Sequence, residues 1–149
     1  MALTPGDVTQ FLRDYGSYNI LLDDVQFTED EVNAAMRFTV SRYNLLSPTT
    51  TYDESSFPNE WLFLIGVCSH LMHSEAFLQL RNQAEYQDGD VQNPGIDNKF
   101  PIYKQLSDSL AGDWTSNAQK LKQQMNMEGC YDSLSSGYRY LRTGMRNIV

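Results

Sequence analysis

The chain is 149 residues long, a single-domain length with room for one core. Its 41% hydrophobic and 20% charged residues are ordinary for a soluble globular chain. A net charge of −8 excludes a phosphate-gripping basic face as its organising feature.

The N-terminus, MALTPGDVTQ, lacks the charged-then-apolar pattern of a signal segment, which leads us to expect a soluble intracellular product with no membrane contact. Thr4-Pro5-Gly6-Asp7 is a helix start with a Thr cap and Pro at the first position. The stripe Val8, Phe11, Leu12, Tyr15 follows, with Gly16 as its stop. Ser17 to Phe27 reads as a loop whose patch Ile20, Leu21, Leu22 tucks under neighbouring helices. Thr28 and Glu31 then form a capping box, Phe27 and Val32 a staple, and Glu29 to Glu31 meet the positive end of the dipole. Inward positions of this helix are Val32, Ala35, Met36, Thr39, Tyr43 and Leu46, and Ser47-Pro48 ends it.

After the polar connection Ser47 to Ser56, the stretch Phe57 to Gly89 predicts the spine of the domain. Pro58 suits a first helical position and Gly89 a stop, giving a helix of about 29 residues, or about 43 Å. Its first half is apolar on nearly every face, and its second narrows to a seam of Ala76, Phe77, Leu80 and Ala84. The segment Gln87 to Asn98 is dense in turn signals and predicts a short hairpin with Val91 and Ile96 on its arms. A last helix starts near Pro101, with Tyr103, Leu106, Leu110, Trp114, Ala118, Leu121 and Met125 on one face. Gly112 is a candidate bend and Gly129 its end. The tail after Gly129 has no helical stripe and predicts an extended arm. The fold class is therefore all-α: an elongated bundle of about four helices over 1–128, a turn-rich loop, and a C-terminal arm over 129–149.

Few residues invite chemistry. Cys68 and Cys130 give neither a disulfide framework nor a metal spacing, and read as buried or idle thiols of a reducing compartment. Cys68, His70, His73 and Glu75 have the character of metal ligands, yet they do not share one helix face, and the HExxH pattern is absent. Asp88-Gly89-Asp90 opens like a calcium loop, but Asn93 stands at its sixth position and Lys99 at its twelfth. No phosphate loop, nucleophile elbow or reactive Cys/His pair exists, so the expectation is a non-enzyme without metal or cofactor. Trp61 and Trp114 fall on apolar stripes and read as core. Tyr131, Tyr138 and Tyr140 lie beside Arg139, Leu141, Arg142 and Arg146, a composition suited to an interface. Charge is divided in the same sense: residues 1–98 hold 15 acids and 4 bases, and residues 129–149 hold Asp132 against three arginines.

The run from Ser74 to Lys99 and the helix after it resemble head–tail connector proteins of tailed bacteriophages. Asn82-Gln83, Tyr86, Asp88-Gly89, Val91, Asp97, Lys99 and Trp114 carry the likeness, and Leu22-Asp23-Asp24 before the capped helix at Thr28 fits it. Asp90 stands where the family has the second Gly of a pair. The resemblance covers about residues 17–127 and implies a homo-oligomeric ring, often twelve-fold, beneath the portal protein in the virion neck. Assembly would take place in the host cytoplasm. Genomic DNA would pass through the ring without specific binding. The arm, with Tyr131, Tyr138, Arg139, Tyr140, Leu141, Arg142 and Arg146, would reach the portal, and another end would receive the next neck or tail protein. Asp88, Asp90, Val91 and Ile96 would face the lumen or a neighbour. A second reading of the same residues is a small soluble adaptor or inhibitor of a phage or bacterial partner.

Overall fold

Two capping boxes fix the first half of the chain. In the computed structural model, which describes residues 3–19, 24–82, 87–88, 91–92 and 99–144, with side chains after 82 only over 99–128, Thr4 caps α1 (Pro5–Leu12). The Asp7 carboxylate accepts from Thr4 N at 2.8 Å, and Asp7 N donates back to Thr4 Oγ1. α1 stops at Leu12, short of Gly16, because Arg13 takes the left-handed conformation (φ 55°, ψ 35°) and turns the chain. Asp14 then points inward. Its carboxylate accepts from Asn19 Nδ2 at 2.6 Å, Gln26 N at 2.7 Å and Phe27 N at 2.7 Å, and so organises the connection to the next helix. The patch Ile20 to Leu22 lies outside the described residues.

α2 (Glu29–Leu45) begins at the expected box, with Thr28 N donating to Glu31 Oε2 at 2.8 Å. Val32, Ala35, Met36, Thr39 and Tyr43 are buried as their spacing predicts, and Val40 joins them. The helix stops just before Ser47-Pro48.

α3 (Glu60–Arg81) is shorter than expected, 22 residues or about 33 Å. Asn59 caps it, its side chain accepting from Leu62 N at 2.8 Å, so Pro58 stands outside the helix rather than at its first position. Among the described residues α3 is the helix long and apolar enough to cross a membrane by length and composition. In this fold it is the central helix, and its residues Phe63, Val67, Cys68 and Leu71 are closed in by α2 and α4. Phe77 and Leu80, expected on the inward seam, are exposed, and Trp61, expected in the core, is 61% exposed against Phe11. Ala84 is outside the described residues.

A two-residue hairpin follows: β1 (Gln87–Asp88) pairs antiparallel with β2 (Val91–Gln92), with Gln87 opposite Gln92 and Asp88 opposite Val91. Val91 therefore sits on the second arm, paired back with Asp88, whereas the turn signals place it on an arm opposite Ile96; Ile96 and Asp90 lie outside the described residues.

The largest departure is α4, which runs without interruption from Phe100 to Gly144, 45 residues or about 67 Å. Neither Gly112 nor Gly129 ends it. The segment 129–144, expected as an extended arm, is a continuation of this helix, and the boundary drawn between 128 and 129 falls inside it. A helical glycine costs only about 1 kcal/mol relative to alanine, which neighbouring turns absorb. Two clusters form the core: one of Val8, Val32, Met36, Phe63, Val67 and Leu71, the other of Tyr43, Leu62, Trp114 and Ala118.

Candidate functional site

α4 is rooted in the bundle by two side chains. Trp114 is buried with its indole edge on Gly66, where an added Cβ would stand 2.5 Å from Nε1 and 2.5 Å from Thr39 Cγ2. Gly66 is thus the notch that lets α3 and α4 approach. Two turns further on, Lys122 is 2% exposed. Its ammonium donates to Leu46 O at 2.7 Å, Pro48 O at 2.7 Å and Thr50 Oγ1 at 3.0 Å, and lies 4.6 Å from the Tyr43 ring centroid. Burial draws its pKa below the usual lysine value. The three oxygens and the negative end of α2 favour the charged form. Asn44 secures the same loop, donating to Tyr52 O at 2.8 Å and accepting from Tyr52 N at 3.0 Å.

A half-open crevice of about 260 Å³ lies between α2, α3 and α4, lined among others by Arg42, His70, His73, Ser107, Asp108 and Trp114. The residues weighed in the sequence as metal ligands separate here. Cys68 is buried in the core with its thiol pushed up to about 12 by burial, and Glu75 is buried with Gln79 Nε2 donating to it at 2.6 Å. His70 and His73 face the crevice instead. Among the described residues no group of three or more possible ligands holds a metal geometry. His73 Nδ1 is 3.4 Å from Ser107 Oγ, but that hydroxyl is 1% exposed and donates to Ser69 O at 3.1 Å, so it is not presented as a nucleophile.

A second, shallower groove of about 700 Å³ runs between α2 and the 49–55 loop, past Arg37, Leu45, Asp53 and Glu54. Asp53 is held at a pKa of about 2 by Ser55 and Ser56, whose hydroxyls donate to it. Those bonds close its own turn.

Of the residues expected at interfaces, Tyr131, Tyr138, Arg139, Tyr140, Leu141 and Arg142 lie on the helical backbone of α4, Asp88 and Val91 face each other across the hairpin, and Arg146 lies outside the described residues. The sequence reading missed Asp14 and Lys122, two buried charges that hold loops in place. It also missed the aromatic corner where Phe11 and exposed Trp61 meet edge to face at 5.7 Å. Only the Trp carried a signal: a large aromatic two residues after a helix N-cap, ahead of the first inward position. No protein-family model, curated protein or solved structure matches this chain.

Proposed function

We propose that the chain is a structural, non-enzymatic head–tail connector of a tailed-phage virion, forming a ring around the DNA channel between the portal and the next neck or tail protein. One observation carries the reading: α4 outruns the bundle. Its last buried position among the described residues is Lys122, and the helix continues for about 33 Å to Gly144. From Gln123 to Glu128 its side chains are half-buried at most. A helix of that length with Gly129, Ser133, Ser135, Ser136 and Gly137 in its reach is a poor one by propensity, and a partner's surface would supply what its sequence does not. Arg139 and Arg142 on this stretch suit an acidic partner. The net charge of −8 suits a channel through which DNA slides, since an acidic wall does not grip the duplex along its length.

Truncation after Glu128 tests the reading. The shortened chain is expected to keep a cooperative thermal melt, because both core clusters lie before that point, and to lose ring assembly and co-sedimentation with portal. A truncated chain that still docks on portal overturns the assignment of α4. A full-length chain that stays monomeric at high concentration with portal present favours the adaptor or inhibitor reading.

A further inference from the structure

The crevice between α2, α3 and α4 gathers positive groups in a chain whose net charge is −8. Arg42 arrives from α2, its guanidinium carbon 4.5 Å from the Trp114 ring centroid and Nη2 donating to Thr115 Oγ1 at 3.2 Å. Among the described residues, other N–H groups of the fork have no fixed acceptor. From α3 come His70, held against Phe38 at 5.3 Å between centroids, and His73, held edge-on against Phe77 at 4.8 Å. α4 contributes Ser107 and one carboxylate, Asp108, which Lys104 engages one turn away. Three groups able to carry positive charge therefore surround one small volume, and among the described residues its one lining carboxylate, Asp108, is paired with Lys104.

This crowding has a cost that a negative guest would remove. Burial first, then His73 and Arg42, hold the His70 pKa below the usual histidine value. An anion within about 4–6 Å favours the charged imidazole. The oriented rings and the fixed guanidinium leave little side-chain entropy to lose on binding.

We propose that this crevice binds a small oxyanion, phosphate or a carboxylate, with Arg42 as the fixed charge and His70 and His73 as protonatable donors. Phe38, 59% exposed, lines its edge. The volume admits a phosphate with its bridging water or a short-chain acid.

The experiment is an NMR pH titration of the histidine Cε1 protons in the full chain, at constant ionic strength in chloride, with inorganic phosphate or acetate added. The expected result is a saturable rise of the His70 pKa by about one pH unit. Arg42→Gln is expected to abolish the rise, and His73→Asn, which leaves the Arg42–Trp114 stack alone, to weaken phosphate affinity several-fold. A shift that grows with protein concentration in chloride alone would assign the carboxylate to a second copy of the chain. Shifts that never saturate, or that persist unchanged in both variants, overturn the proposal.

Discussion

Lys122 shows how much a single side chain can hold. Its ammonium serves two backbone carbonyls and the Thr50 hydroxyl, which itself donates to Asn44 Oδ1 at 2.9 Å. Lys122→Met keeps the apolar stem and removes the donors, which takes a charged partner from two part-buried carbonyl oxygens. We expect a loss of about 1–3 kcal/mol in urea unfolding, at unchanged denaturant slope. Asp14 acts likewise from the other side of the fold, with two backbone amides bound to one carboxylate. Neither role is legible in the chain. Lys120 and Lys122 are separated by one residue, and Lys120 is exposed. Only the packing of Ala118 and Trp114 against Tyr43 decides which lysine turns inward.

Elements were legible where their signals are local. The boxes at Thr4 and Thr28 need only residues three apart, and both form as read. The inward stripe of α2 follows its 3.6-residue period for the same reason. Ends governed by competition were not legible. Asn59 outcompetes Pro58 as the signal for α3, because a side-chain acceptor for Leu62 N is worth more than a preset φ. On α4 the glycines weaken the helix without stopping it. Tyr131, Leu134, Tyr138 and Leu141 in fact recur at intervals of three and four, a period hidden by the serines between them. Gly112 offers the direct check. It is exposed within the helix and nothing lies within 4 Å of an added Cβ, so Gly112→Ala is expected to stabilise the fold by about 1 kcal/mol, read as a thermal melt raised by a few degrees.

At the level of the whole molecule, the all-α bundle was foreseeable and its single long helix was not. Burial of Cys68 at the centre makes it a reporter for the opening of the entire bundle. With its pKa raised to about 12, the thiol is protonated at neutral pH as well as inaccessible. In a Cys130→Ser background, a chromogenic disulfide reagent should leave Cys68 unmodified in buffer and react in step with urea unfolding. Rapid stoichiometric reaction of the native chain would contradict the closed packing around α3.

The bonds from Lys122 also set an order of events. They join positions 72 to 76 residues apart, so the 46–50 segment, already tied locally to Asn44, gains these three bonds only when α4 docks. Contacts made that late contribute little to the rate-limiting barrier. Loss of the ammonium should therefore hasten unfolding and leave the refolding rate nearly untouched.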